Sequence, residues 1–221
     1  MERGLKKITV YWSGFIVKVK FCGITNRTDA MNAIALNIDA LGFIFYEQSP
    51  RYISIEKVEE ILLDLPPFIH VIGVFVNASV DFINEATKRC RLTGIQLHGQ
   101  ESPEFCLKFH LPVIKAIPVK NKEDIYCIPQ YKGCVNGILL DTKAQNVHGG
   151  TGKTFDWGLA IEAKAYDVPL ILSGGINATN ISKAIKMVSP YGIDICSGLE
   201  KEPGIKDYNK MKLLLDAIQT A

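Results

Sequence analysis

Short apolar runs alternate with amphipathic stretches along the chain from residue 17 onward. The apolar runs are mostly β-branched or leucine-rich, and polar residues do not alternate through them, which is typical of strands covered on both faces. They predict eight strands, at residues 17–22, 40–45, 68–75, 94–98, 112–117, 137–141, 169–173 and 192–196.

The stretches between these runs have the spacing and start signals of helices. Helices are predicted at residues 28–38, 55–64, 80–90, 102–109, 122–131, 157–166, 178–187 and 207–219. Thr28 with Asp29, Ser54 and Ser79 stand where the first three would be capped. Strand and helix thus alternate eight times, which gives either an open doubly wound sheet or a closed barrel. Eight units of roughly 25 residues, without a second composition zone, favour a single α/β domain, a (β/α)8 TIM barrel over residues 17–221.

Composition narrows the class of partner. Of the 221 residues 48% are hydrophobic, which is enough for a sizeable core, and the formal net charge is only +2. The lysines and arginines are evenly spread, so neither nucleic acid nor an anionic membrane surface is indicated. No apolar run reaches the roughly 18 residues of a membrane span. The expected partner is a small molecule.

Six cysteines lie far apart in the sequence, at positions 22, 90, 106, 127, 134 and 196. They form no CxxC pair and no Cys/His cluster at zinc-ligand spacing, so free thiols in a reducing cytoplasm are expected. Residues 1–16 have a basic start and an apolar stretch, like a signal peptide. Ser13 and Gly14 interrupt that stretch and no small-x-small cleavage site follows. We therefore expect residues 1–16 to be an extension of unknown role.

Several chemically capable side chains stand at predicted strand ends. Cys22 closes the first strand, and Arg51 lies in the loop after the second. His98 ends the fourth strand and Asp141 ends the sixth. Because the active site of a (β/α)8 barrel lies at the carboxyl ends of its strands, we expect all four on one rim.

Glycine-rich turns follow the last two predicted strands, "SGGIN" at 173–177 and "CSGLE" at 196–200. Glycine lets backbone N–H groups approach an anion closely, and barrels often hold a phosphate at this place. The alternative is a pair of ordinary tight connections. The two turns together favour a phosphate site after strands 7 and 8, with Gly174, Gly175, Ser197 and Gly198 as its predicted residues.

The segment "HGGTGKTFDW" (148–157) ends its glycine-rich part in Gly-Lys-Thr, like a nucleotide-binding P-loop. Val147 stands where the first glycine of that motif is required, so an NTPase is not predicted. The segment is better interpreted as a flexible cover over the pocket, spanning about residues 143–155.

Taken in order, these segments resemble the phosphoribosylanthranilate isomerase family of tryptophan biosynthesis. The resemblance runs from about residue 17 to the C-terminus and is carried by "KFCGIT", "DALGFIFYEQSPRYIS", "IGVFVN", "IQLHG", "LLDT", "GGTGKTFDW", "LSGGINATN" and "SGLEKEPGIKD". It implies an Amadori rearrangement of N-(5-phosphoribosyl)anthranilate to 1-(2-carboxyphenylamino)-1-deoxyribulose 5-phosphate. Acid–base chemistry suffices for this reaction, so no metal or cofactor is expected.

The resemblance also implies roles for single residues. Cys22 would be the general base and Asp141 the general acid, although a thiol must lose a proton and a carboxylate must hold one for this. Arg51 would clamp the anthranilate carboxylate, for which a planar guanidinium is suited. His98 matches the family pattern either as a residue lining or orienting the pocket or as a structural one. Cys196 is expected in the core or behind the site.

Other interpretations remain at this point. Indoleglycerol-phosphate synthase would be expected to show catalytic Lys and Glu at strand ends, and the related isomerase of histidine biosynthesis an Asp where Cys22 stands. A barrel that binds a phosphorylated ligand without catalysis is the alternative of a different class, and intact Cys22 and Asp141 argue against it. The chain is expected to act as a monomer or a homodimer.

Overall fold

The computed structural model describes residues 17–142 and 154–220. Its centre is a closed barrel of eight parallel strands, in which each strand pairs with the next and β8 pairs with β1. The strands are β1 Lys18–Cys22, β2 Ala40–Ile44, β3 His70–Phe75, β4 Gly94–Leu97, β5 Val113–Val119, β6 Gly137–Thr142, β7 Leu170–Leu172 and β8 Gly192–Ile195. The predicted barrel and all eight strands are confirmed.

Helices connect the strands around the outside of the barrel. They are α1 Arg27–Ala35, α2 Ile55–Leu62, α3 Val80–Arg89, α4 Pro103–Cys106, α5 Ile128–Tyr131, α6 Trp157–Ala163, α7 Ile181–Val188 and α8 Tyr208–Gln219. The side chains of Ser54 and Ser79 accept hydrogen bonds from the first turns of α2 and α3, as predicted. The first helix is capped by Asn26, whose side chain accepts from the backbone of Asp29, and not by Thr28 or Asp29.

Three predicted helices are shorter or interrupted. The fourth covers only Pro103–Cys106. The fifth is a 3-10 helix, Lys122–Cys127, followed by α5, because Pro129 has no N–H to continue the hydrogen-bond ladder across the junction. The sixth ends in a 3-10 turn, Lys164–Tyr166, after which Asp167 is left-handed with φ 57°.

A short hairpin on the rim was not predicted. After a 3-10 turn at Ser197–Leu199, strands β9 Glu200–Glu202 and β10 Ile205–Lys206 pair antiparallel before α8 begins. Two-residue and three-residue strands lack the length for a periodicity signal. This hairpin places Glu200 and Lys206 beside the carboxyl end of β8.

The apolar core lies mainly between the barrel wall and the helices. In β1, Val19 and Phe21 belong to that outer core, while the alternating positions face the barrel interior. A smaller apolar cluster inside the barrel is formed by Ala116, Leu139 and Ile171. The interior at β1 and β8 is polar, because Lys20 and Asp194 are both buried there.

Two sequence-based predictions fall on residues 1–16 and 143–153, which lie outside the described residues: the N-terminal extension and most of the cover loop. Within 17–142 and 154–220, no helix has the length and apolar character to cross a bilayer.

Candidate active site

One cavity at the carboxyl ends of the barrel strands is lined by all eight residues selected from the sequence. They are Cys22 from β1, Arg51 after β2, His98 after β4, Asp141 from β6, Gly174 and Gly175 after β7, and Ser197 and Gly198 after β8. The barrel closure brings these segments together although they span most of the sequence. The structure thus gives them a common location, and their individual roles rest on local geometry.

Cys22 stands at the end of β1 beside a buried ion pair. Lys20, two residues earlier, shares its face of the strand, and its Nζ donates to Oδ1 of Asp194 at 2.9 Å. A hydrogen bond with Cys196 and the positive charge of Lys20 hold the pKa of Cys22 well below the ordinary thiol range, against the opposite effect of burial. The site therefore favours the thiolate of Cys22.

The pKa values of Lys20 and Asp194 are shifted by burial and by their mutual contact. Burial raises the pKa of Asp194 to about 7, although the nearby ammonium of Lys20 opposes this shift. Burial disfavours the charge on Lys20, but Asp194 and the Cys22 thiolate outweigh it and raise the pKa of the amine. Lys20 is therefore a cation beneath the sulfur of Cys22.

Asp141 lines the same cavity from β6, three strands from β1 around the barrel, and contacts His98. The Nε2 of His98 lies 3.4 Å from Oδ2 of Asp141, and Nδ1 of the same ring lies 3.1 Å from the side-chain amide of Gln96. The other oxygen, Oδ1, accepts from the backbone N–H of Thr142 at 2.8 Å. Both carboxyl oxygens of Asp141 are thus oriented, one by the backbone and one by the imidazole.

Arg51 is buried and bound through one edge of its guanidinium. Its Nε and Nη2 donate to the two oxygens of Glu200 at 2.8 and 2.7 Å, and Lys206 Nζ donates to Glu200 Oε1 at 2.9 Å. These cations lower the pKa of the Glu200 carboxyl although burial opposes them. The edge of Arg51 formed by Nη1 and Nη2 is not occupied by these bonds, so Glu200 positions the guanidinium without consuming it.

Gly23 permits the close approach of Arg51 to strand β1. Its φ of 70° is left-handed, and a Cβ at this position would lie 2.8 Å from Cδ of Arg51 and 2.9 Å from Sγ of Cys196. A side chain would therefore displace two groups that line the cavity. This explains why the chain breaks on glycine directly after Cys22.

The two glycine-rich turns pack against each other. A Cβ on Gly198 would overlap the carbonyl oxygen of Ile176, and one on Gly174 would overlap the hydroxyl of Thr142. Gly174 and Gly175 both have positive φ, 81° and 68°. The carbonyl of Gly175 accepts from the side-chain amides of Asn177 and Asn180, at 3.2 and 2.9 Å. The turns after β7 and β8 therefore form one compact edge of the cavity.

Comparison with known proteins identifies the family. The model of the N-(5'phosphoribosyl)anthranilate (PRA) isomerase family matches residues 19–217. The chain belongs to this family. A PRA isomerase from Geotalea uraniireducens (strain Rf4) is 49% identical over 197 residues, which cover 89% of this chain and 96% of the relative.

Solved PRA isomerases share the whole barrel. The crystal structure from Thermotoga maritima superposes with a TM-score of 0.87 at 40% identity, covering 93% of this chain and 100% of that chain. A PRA isomerase in complex with reduced 1-(o-carboxyphenylamino)-1-deoxyribulose 5-phosphate gives a TM-score of 0.84 at 38% identity, over 93% and 100% of the chains. The chain is therefore an isomerase of tryptophan biosynthesis, which carries out the Amadori rearrangement of N-(5-phosphoribosyl)anthranilate.

Among the residues that were not selected from the sequence are four charged ones at or beside the PRA isomerase cavity: Lys20, Asp194, Glu200 and Lys206. A signal existed for Lys20, because strand periodicity puts it on the same face as Cys22. The same periodicity puts Asp194 on the face of Cys196. Glu200 lies in the unpredicted hairpin, and no sequence pattern marked it as the partner of Arg51.

Proposed function

We propose that Cys22 is the general base and Asp141 the general acid of the isomerisation. Asp141 protonates the furanose ring oxygen, the ring C–O bond breaks, and an open-chain iminium forms. The thiolate of Cys22 then takes the proton from C2, and the electron pair of that C–H bond forms an enolamine. The enolamine tautomerises to the aminoketose.

The observation that carries this proposal is the environment of Cys22. Its sulfur lines the cavity from β1 while Asp141 lines it from β6, so a sugar between them can be approached by both. Lys20 and the hydrogen bond with Cys196 lower the pKa of Cys22, which supplies the thiolate that proton abstraction needs. A base fixed on a strand also keeps its geometry during the transfer.

His98 is assigned a positioning role. Its Nε2 faces Oδ2 of Asp141 at 3.4 Å, and Gln96 fixes the other ring nitrogen. An imidazole in this place orients the carboxyl and offers a partner for the acidic proton before transfer. His98 thus acts through Asp141 and also forms part of the wall that contacts substrate.

Arg51 is assigned to the anthranilate carboxylate. Glu200 holds the Nε–Nη2 edge, so the Nη1–Nη2 edge is the one that would form the bidentate contact with substrate. The guanidinium keeps its charge, because Glu200 raises the pKa of Arg51. When the substrate carboxylate loses its bound water on entering the cavity, hydrogen bonds from this edge of Arg51 would replace those to water.

The phosphate of the substrate is assigned to the edge made by the turns after β7 and β8. Gly174, Gly175, Ser197 and Gly198 line the cavity there, their backbone N–H groups would be the donors, and glycine permits the close packing of the two turns. Backbone donors suit a phosphate because they approach it without a side chain between. The ribose would then lie between Cys22 and Asp141.

The enzyme is expected to work in the cytoplasm, as a monomer or a homodimer. Reduced cysteines fit a reducing compartment, since the described thiols of Cys22 and Cys196 must remain free for the proposed chemistry. Its partner is the small phosphorylated substrate. Size-exclusion chromatography with light scattering decides between the two assembly states.

The decisive experiment compares the wild type with Cys22→Ala and Asp141→Asn in a fluorescence assay of phosphoribosylanthranilate consumption. Each variant should lose about 10² to 10⁴ in kcat, the usual worth of a general base or acid. Affinity for the reduced product analogue should change little, which separates chemistry from binding. Cys22→Ser should do little better than Cys22→Ala. A kcat near that of the wild type in Cys22→Ala or in Asp141→Asn would contradict the assignment of that residue. A barrel that only binds its ligand would show no turnover even as the wild type.

A further inference from the structure

Cys22 and Cys196 are neighbours across the seam where the barrel closes. The register of β1 and β8 pairs Lys20 with Asp194 and Phe21 with Ile195, so the next positions along the two chains are Cys22 and Cys196. Adjacent strands lie about 4.8 Å apart. Disulfide-bonded cysteines have Cα atoms about 4.4 to 6.8 Å apart, so the backbone spacing at this seam suits a bridge.

The two sulfurs face the same space. Strand periodicity puts Cys22 on the face of Lys20 and Cys196 on the face of Asp194, and Lys20 and Asp194 already meet at 2.9 Å. Both cysteines line the active-site cavity, and each is close enough to shift the pKa of the other, that of Cys22 downward and that of Cys196 upward. Both side chains therefore lie on the cavity face of the barrel, on neighbouring strands, and not on opposite faces.

Cys22 differs in reactivity from Cys90 and Cys106, two other buried cysteines. Cys196 and Lys20 favour the thiolate of Cys22, and the thiolate is the form that reacts with peroxides. Burial raises the pKa of Cys90 to about 12 and that of Cys106 to about 11, so these two stay protonated. Oxidation should accordingly begin at Cys22.

We propose that Cys22 and Cys196 form a reversible redox pair, in which peroxide converts them to a disulfide and removes the active-site thiolate. The loss of activity in this proposal rests on the role of Cys22 as the base; formation of the disulfide does not. Hydrogen peroxide is the oxidant, and a small thiol such as glutathione or dithiothreitol is the reductant.

The chemistry proceeds in two balanced steps. The Cys22 thiolate attacks one oxygen of hydrogen peroxide, the O–O bond breaks, and a sulfenic acid forms with release of hydroxide. The sulfur of Cys196 then attacks the sulfenic sulfur, the S–O bond breaks, and the hydroxyl leaves with the Cys196 proton as water. Two molecules of glutathione, or one of dithiothreitol, restore both cysteines by thiol–disulfide exchange and are themselves oxidised to a disulfide.

Lys206 assists the second step by its position. Its Nζ lies 3.8 Å from Sγ of Cys196 and 3.2 Å from the carbonyl oxygen of the same residue. An ammonium there stabilises the developing thiolate of Cys196 once Cys22 no longer carries the negative charge. The resolving thiol thus has its own cation, separate from Lys20.

The test treats the full-length reduced enzyme with a small excess of hydrogen peroxide and follows activity and mass together. The wild type should lose two hydrogens in mass, give one cross-linked peptide pair containing residues 22 and 196, and lose at least about 100-fold in kcat. Dithiothreitol should restore the starting mass and activity. Cys134→Ser is the matched control, since it removes a half-buried thiol elsewhere and should behave like the wild type.

Cys196→Ser separates the pair from a lone reactive cysteine. Without the resolving thiol, Cys22 should gain two oxygens at higher peroxide, and activity relative to the untreated variant should not return with dithiothreitol. Full recovery in Cys196→Ser, or a wild type without the 22–196 peptide pair, would overturn the redox pair. A disulfide that leaves kcat unchanged would overturn both the proposed inactivation and the assignment of Cys22 as the base. The activity of Cys22→Ala tests the base assignment separately, without any disulfide.

Discussion

The ammonium of Lys20 lies 2.9 Å from the carboxylate of Asp194 inside the barrel, directly beneath the sulfur of Cys22. These two charges act on Cys22 in opposite directions, because the cation favours the thiolate and the anion disfavours it. The balance between them sets the pH range in which the base is ready. Removing one charge at a time should therefore shift the pKa of Cys22 in opposite directions.

In Lys20→Met the acid limb of the kcat/KM profile should move to higher pH. The thiolate loses its cation, the pKa of Cys22 rises, and kcat/KM falls about tenfold for each pH unit below the new limb. Asp194→Asn should move the same limb to lower pH, because it removes the anion. The measurement is kcat/KM against pH, with thermal unfolding recorded for both variants. Limbs that move in the same direction in both variants would show that folding, not charge, is responsible.

His98→Ala should lower kcat by about tenfold or more, with little change in KM, because the imidazole acts through the carboxyl of Asp141. Added imidazole should recover part of the lost kcat, since it can occupy the space beside Oδ2. Asp141→Asn in the same buffer is the control and should show no recovery. If imidazole has no effect on His98→Ala, the side chain is structural.

Arg51→Ala should raise KM more than it lowers kcat, because the guanidinium holds the carboxylate in both substrate and transition state. Arg51→Lys should recover only part of the affinity, since an ammonium offers no bidentate edge. Glu200→Gln should give a smaller increase in KM, because it loosens the position of Arg51 while leaving the charge. The measurement is KM and kcat beside a thermal unfolding midpoint. An unchanged KM in Arg51→Ala contradicts the assignment.

Gly198→Ala should weaken binding of inorganic phosphate by about tenfold or more, since the added Cβ overlaps the carbonyl oxygen of Ile176 and separates the two turns. Ser197→Ala is the matched control and should bind nearly as the wild type does, because it keeps the backbone N–H. Titration calorimetry measures both. Equal affinity in the wild type and Gly198→Ala would place the anion elsewhere.

The sequence was sufficient for the barrel because each strand carries its own local signal. Residues at strand ends could be selected for the same reason: Cys22 and Asp141 need only the strand assignment and the rule for barrel active sites. The helix ends were less certain, as Pro129 and Asn26 show. What could not be predicted depends on register between distant segments.

Two contacts illustrate that limit. Lys20 and Asp194 are 174 residues apart, and Arg51 and Glu200 are 149 apart. Strand periodicity gives the face of each residue, but not which residue lies across the seam. The charges around Cys22 and the ion pair that anchors Arg51 could therefore be identified only from the three-dimensional structure of the closed barrel.

The hairpin that carries Glu200 and Lys206 has a consequence for the order in which the enzyme becomes competent during synthesis. Arg51 is made early, but its anchoring carboxylate on Glu200 follows 149 residues later, and the cation beside Cys196 comes later still, on Lys206. A nascent chain that has released only its first seven strands holds Cys22, Arg51 and Asp141, but it lacks Cys196 and the hairpin that anchors Arg51. Competence thus arrives with the last strand and its hairpin, so an incomplete chain has little capacity to act on substrate before the barrel is closed.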